Sequence, residues 1–222
     1  MAEYKVVEKF VSINGEGMKA GTLAVFIRFF GCNLRCSYCD TLWASSPDCP
    51  YDIMTEDDIV TYVKETGVHN VTLTGGEPLL RDNMDILLKK LSALPDIFIE
   101  IETNGSVDIR SYKSIAGNIS FTLDYKLPYS GMEDKMFMPD FEAVDKNDTV
   151  KFVAAGKDDL DTMKEIVEKY NLANKTNVFI SPVFGEIEPV TIVEYMIDNK
   201  LNSVKMQLQM HKFIWDPNQK GV

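Results

Sequence analysis

The sequence predicts an α/β fold: a partial, incomplete TIM-like barrel of parallel strands, open along one side. Three observations carry that prediction. Short β-branched or aromatic runs alternate with stretches of helical period, the pattern of βαβ units around a largely parallel sheet. Polar residues and glycines gather just after those runs, at strand carboxyl ends, which form the ligand-binding rim of barrels and open parallel sheets. Finally, about six or seven parallel strands fit the chain, fewer than the eight a closed barrel needs.

Strands are expected over residues 4–13, 23–30, 70–74, 97–103, 119–124, 150–154, 178–181 and 204–209. Helices lie between most of them. Thr55-Glu56-Asp57-Asp58 supplies a capping start for a helix through Glu65, and Gly67 its stop. Residues 158–170 and 189–200 show the same apolar spacing. With no internal repeat, low-complexity tract or linker-like segment, residues 1–222 read as a single domain. The strand ends are its informative part. Thr74 runs into Gly75-Gly76-Glu77-Pro78, Thr103 into Asn104-Gly105, Leu123 into Asp124-Tyr125-Lys126, and Ile180 into Ser181-Pro182-Val183.

Composition narrows the function classes. At 222 residues and 45% hydrophobic content the chain can bury a sizeable core. MAEYKVVEKF has no apolar leader core, and no later run is long enough for a membrane span. A cytoplasmic protein is therefore expected, in a compartment that keeps thiols reduced, so the four cysteines read as metal ligands or bystanders rather than disulfides. A net charge of -11 argues against a nucleic-acid partner.

Cys32, Cys36 and Cys39 stand in C-x3-C-x2-C spacing in a polar loop, 31–50, directly after an apolar strand. Three thiolates suit an iron–sulfur cluster or zinc, and they leave one coordination position open. Cys49 is either a fourth ligand for zinc or a free loop thiol; Ser45-Ser46-Pro47 and Pro50 around it supply no ligand-like partner. A glycine pair after a buried strand, as in Gly75-Gly76-Glu77-Pro78, lets backbone approach a ligand closely.

The thiol spacing, with Tyr38 just before the last cysteine and GGEP after the next strand, resembles the radical S-adenosylmethionine (SAM) superfamily. The resemblance implies a radical SAM core whose three cysteines hold a 4Fe-4S cluster while SAM chelates the fourth iron. It also implies reductive cleavage of SAM to a 5′-deoxyadenosyl radical that takes a hydrogen atom from substrate. A narrower resemblance spans nearly the whole chain. Ser12-Ile13-Asn14-Gly15-Glu16-Gly17, Phe26-Ile27-Arg28-Phe29-Phe30-Gly31-Cys32-Asn33-Leu34, Cys39-Asp40-Thr41 and Gln209-Met210-His211-Lys212 are similar to the 7-carboxy-7-deazaguanine synthase family. That family contracts the ring of 6-carboxy-5,6,7,8-tetrahydropterin to 7-carboxy-7-deazaguanine with loss of ammonia, in queuosine and deazapurine biosynthesis, and uses Mg2+.

Residue roles follow from the resemblance and make chemical sense. Arg28 offers a planar fork to a substrate carboxylate. Thr41 is the magnesium ligand, an oxygen donor of the kind that ion prefers. Asp40 is either its partner or a solvated acid. Ile13, Asn14, Gly15 and Glu16 present backbone groups to the pterin edge, with Thr74 and His211 as further substrate contacts. Tyr38, Gly76, Glu77, Asp124, Tyr125, Lys126, Ser181, Pro182, Val183 and Phe184 match SAM-binding positions. Here the sequence departs from the family, which often has Ser-Pro-Lys where this chain has Asp124-Tyr125-Lys126. A homodimer and an electron donor such as a flavodoxin are implied as partners. Two rivals stand beside this reading: a glycyl-radical activating enzyme with a peptide groove, and a zinc-stapled binding module using Cys49.

Overall fold

The computed structural model describes residues 2–216 and 219–221. Among the described residues nine strands form one sheet in the order β3-β1-β2-β4-β5-β6-β7-β8-β9, with β3 and β9 at its edges. They are β1 (Glu3–Ile13), β2 (Leu23–Phe29), β3 (Asp52–Thr55), β4 (Asn70–Gly75), β5 (Phe98–Thr103), β6 (Ile119–Tyr125), β7 (Thr149–Ala154), β8 (Asn177–Pro182) and β9 (Val204–Met206). β1 pairs antiparallel with β2 and β3; every pairing from β2 through β9 is parallel. This is the expected open α/β barrel.

The helices are α1 (Glu56–Thr66), α2 (Met84–Ser92), α3 (Arg110–Lys113), α4 (Pro139–Ala143), α5 (Lys157–Lys169), α6 (Leu172–Lys175), α7 (Pro189–Asp198) and α8 (His211–Ile214). α1 shows how local sequence sets its bounds. Thr55 accepts from the Asp58 amide and the Asp58 carboxylate accepts from the Thr55 amide, a reciprocal cap that satisfies two donors of the first turn. Gly67 ends the helix at φ 66°, the left-handed region where glycine lacks the usual penalty.

Strand parity separates the two faces of the sheet. Val25, Ile27 and Phe29 of β2, Val71 and Leu73 of β4, Ile99 and Ile101 of β5, and Val150 and Phe152 of β7 point outward into one core. Ile59 and Val63 of α1, Leu87, Leu88 and Leu91 of α2, and Leu160 and Met163 of α5 complete it. Each such side chain contributes about 1.5–3 kcal/mol on burial. The alternate residues point inward and are largely polar: Arg28, Thr72, Thr74, Glu100, Glu102, Thr122, Asp124 and Lys151. A sheet buried on both faces ordinarily has apolar residues on both. This one encloses a polar cavity.

Two elements differ from the sequence expectation. β3 lies outside the expected strands; its Asp-Ile-Met-Thr run is a short edge strand with Ile53 exposed, so no buried alternation marks it. β9 ends at Met206 rather than residue 209, because Gln207 turns inward and exchanges hydrogen bonds with the Gly17 backbone. That exchange draws the β1–β2 turn toward the barrel's open side.

Candidate active site

Backbone contacts build the thiol loop. β2 ends beside the Gly75-Gly76 turn, where the Gly76 amide donates to Phe29 O at 3.1 Å and the Glu77 amide to Gly31 O at 2.9 Å. A Cβ at Gly76 would lie 2.1 Å from Gly31 O, so only glycine lets the two loops touch. From this seat the loop carries Cys32, Cys36 and Cys39 along one side of a cavity of about 870 Å³. All three are free thiols, Cys39 exposed and the others half-buried. Thr41 Oγ1 lies 3.8 Å from Cys39 Sγ.

This donor set fits an iron–sulfur cluster. Three thiols face one cavity, and thiolates are the ordinary ligands of such clusters. Among the described residues no three His, Cys, Asp or Glu side chains converge on a point a single ion would occupy. Cubane ligands need no such convergence, since each cysteine binds its own iron. Cys49 does not line the cavity; it is buried with its thiol against Pro50 O.

Charges alternate around the wall. Arg28 Nε donates to Glu8 Oε2 at 3.0 Å. Lys151 Nζ reaches Glu16 Oε1 at 2.5 Å and Asp124 Oδ1 at 3.4 Å, and Lys126 Nζ meets Asp124 Oδ2 at 2.5 Å. Burial opposes Asp124 ionisation, but Lys126 and Lys151 outweigh it and hold the carboxyl below its usual range. Burial also works against both lysine charges, and neighbouring carboxylates, Asp124 foremost, keep the two ammonium groups protonated well above their ordinary values. Glu102 goes the other way: burial, then Glu100 and Glu16, push it up to about 7. Burial lowers His211, and it lifts the Tyr38 hydroxyl to about 12.

Of the residues singled out by sequence, Ile13, Gly15, Glu16, Arg28, Tyr38, Thr41, Thr74, Gly76, Asp124, Lys126, Val183, Phe184 and His211 line this cavity with the three thiols. Segments as distant as the β1–β2 turn and α8 thus meet in one space. Asn14, Glu77, Tyr125, Ser181 and Pro182 do not line it. Asn14 Oδ1 instead accepts from Thr72 Oγ1 beneath the cavity. Tyr125 follows inward-facing Asp124, so parity turns its ring outward onto Phe141 and Phe152. Glu77 is fully buried; its carboxylate accepts from the Leu79 and Asn104 amides and the Thr103 hydroxyl, while burial pushes it up to about 7. Glu102, Asn104 and Lys151 line the cavity without having been singled out. The alternating Glu100 and Glu102 of β5, and Lys151 set between Val150 and Phe152 of β7, were the available signal for two of them; Asn104 lies beyond β5 and carried none.

Comparison with known proteins resolves what this site belongs to. Residues 26–198 match the Radical SAM superfamily. Over 219 residues the chain is 56% identical to 7-carboxy-7-deazaguanine synthase of Clostridium acetobutylicum, with 99% of each chain covered. The chain belongs to the 7-carboxy-7-deazaguanine synthase family. The Methanospirillum hungatei synthase is 35% identical over 96% of this chain and 86% of its own. A crystal structure titled QueE from Escherichia coli shares the fold, at TM-score 0.73 and 21% identity over 94% of this chain and 95% of that one. The protein is therefore a radical SAM enzyme, a class that carries a 4Fe-4S cluster and SAM. Family membership displaces both rivals, the glycyl-radical activating enzyme and the zinc module.

Proposed function

We propose that this 7-carboxy-7-deazaguanine synthase family member contracts 6-carboxy-5,6,7,8-tetrahydropterin to 7-carboxy-7-deazaguanine, releasing ammonia, for queuosine or other deazapurine biosynthesis. One observation supports it most: the thiol loop and a carboxylate-binding arginine share one cavity, Arg28 on β2 and Cys32, Cys36 and Cys39 just beyond. When bound, the cluster supplies one-electron reductive cleavage of SAM. The chain's own residues do the rest. Glu8 fixes the Arg28 fork by the 3.0 Å bond, leaving its remaining N–H groups for the substrate carboxylate. Thr41, with Asp40 beside it tied to Lys212 at 3.4 Å, would supply an oxygen ligand for Mg2+. Glu102, poised near neutrality, is the carboxyl matched to moving a proton at the substrate ring.

The cluster sits on Cys32, Cys36 and Cys39 in this reading. Ile13, Gly15, Glu16, Thr74 and His211 meet the pterin, while Tyr38, Gly76, Lys126, Val183 and Phe184 meet SAM. The enzyme works in the cytoplasm as a homodimer reduced by a flavodoxin-like donor. Among the described residues no helix is long and apolar enough to cross a membrane. The exposed Val190, Val193 and Ile197 on one side of α7 supply an apolar stripe for a second copy.

Anaerobic assay of the reconstituted enzyme with the carboxytetrahydropterin tests the reaction. Product forms with wild type, and Arg28→Ala raises KM by a hundredfold or more while iron content stays unchanged. Failure of loaded wild type to form product overturns the proposal. A 25.1 kDa particle in sedimentation removes the dimer.

A further inference from the structure

Asn104, at the end of β5, reaches across to the thiol loop. Its Nδ2 lies 3.5 Å from Cys32 Sγ and 3.0 Å from Asn33 Oδ1. The amide orientation is fixed by its surroundings. Asn104 Oδ1 accepts the Ser106 backbone N–H at 3.0 Å and the Ser106 hydroxyl at 2.6 Å. A backbone N–H can only donate, so the oxygen must face Ser106 and the NH2 group must face the sulfur. The backbone of Asn104 is anchored as firmly. Its N–H is held at 2.7 Å by the fully buried carboxylate of Glu77, whose other oxygen takes Thr103 Oγ1 and the Leu79 amide. Gly105 follows at φ 75°, and a Cβ there would strike Asp124 O at 2.3 Å, so the turn cannot relax toward another shape. The Leu34 amide, 3.4 Å away, is a second donor to the same sulfur.

We propose that Asn104 is a positioning residue that raises the reduction potential of the cluster through its N–H···S bond to Cys32. The proposal rests on the assignment of Cys32 as a cluster ligand. Reduction adds an electron that the thiolate sulfurs share, and an N–H dipole aimed at one of them stabilises the more negative state. Hydrogen bonding to ligand sulfur is one of the levers by which a protein sets such potentials. GGEP thereby acquires a second task in this chain: Glu77, whose side chain faces away from the cavity, holds the turn that aims the amide.

The test is an EPR-monitored redox titration of the anaerobically reconstituted full chain, which reads the cluster without turnover. Asn104→Ala deletes the donor. Asn104→Asp keeps the shape and the oxygen facing Ser106 but replaces the N–H groups with a carboxylate oxygen, whose charge itself disfavours reduction. Asn104→Ala lowers the midpoint by about 59 mV, a tenfold change in a one-electron equilibrium constant, and Asn104→Asp lowers it further. Asn33→Ala cuts the tether between Asn104 and the loop while leaving the sulfur donor, and its midpoint stays at the wild-type value. A midpoint at or above wild type in Asn104→Ala overturns the proposal, and so does an equal fall in Asn33→Ala. Wild type that assembles no cluster at all overturns the cluster assignment itself, so the two failures are told apart.

Discussion

Gly76→Ala separates contact between the two loops from mere proximity. The new Cβ would stand 2.1 Å from Gly31 O, 2.3 Å from Gly31 C and 2.8 Å from Cys32 N, all backbone atoms that cannot swing aside. Relief requires the thiol loop to move by about 1 Å, an overpacking strain of about 1–3 kcal/mol. The Glu77 amide bond to Gly31 O, 2.9 Å long, breaks in the same motion and costs about 1 kcal/mol more. A total of about 2–4 kcal/mol corresponds to a fall in thermal midpoint of roughly 5–15 °C for a chain of this size. Scanning calorimetry on the cluster-free chain measures it, and iron per chain after reconstitution reads the displaced loop, which binds less. Gly117→Ala is the control, since a Cβ there meets nothing within 4 Å. If Gly76→Ala melts with that control and loads iron as wild type does, the loops are not packed as described.

Other perturbations reach separate parts of the molecule. Lys151→Ala strands the Glu16 carboxylate without its buried cation, while Asp124 keeps Lys126, and destabilises by about 3–5 kcal/mol in urea unfolding; a loss below about 1 kcal/mol refutes the network. Cys49→Ser leaves iron per chain unchanged, because that thiol sits against Pro50 O rather than in the cavity; lost iron would make it a ligand. Asp140, fully buried against the Ile109 amide, is pushed up to about 7, first by burial and then by nearby Asp108. Because its folded value is raised, its contribution is full below the unfolded value near 3.8 and is lost as pH rises through about 7. Asp140→Asn keeps an acceptor for Ile109 but cannot ionise. Its unfolding free energy relative to wild type therefore climbs between pH 5 and about 7, by about 3 kcal/mol at about 1.4 kcal/mol per pH unit, and levels off above; a flat difference refutes the shift.

The features legible in the sequence are those with local causes. The α1 cap, the thiol spacing and the glycine pair each lie within a dozen residues, so pattern alone finds them. Glu77 and Asn104 belong to another class. They are 27 positions apart, and their joint role appears only once β4 and β5 lie side by side. Tyr125 shows what parity could have added. In a strand, successive side chains face opposite ways. Once Asp124 is assigned to the cavity, Tyr125 must pack outside it, whatever its neighbours in the motif do. Thr72-x-Thr74, Glu100-x-Glu102 and Thr122-x-Asp124 repeat the same beat, and Lys151 stands alone between Val150 and Phe152. Strands of a parallel sheet packed on both faces read as continuous apolar runs. Polar residues at every second position are the trace of a hollow interior, and they mark Glu102 and Lys151 as cavity residues before any coordinates are known. Asn104 lies beyond β5, where the alternation has ended, and only its contact with Cys32 reveals it.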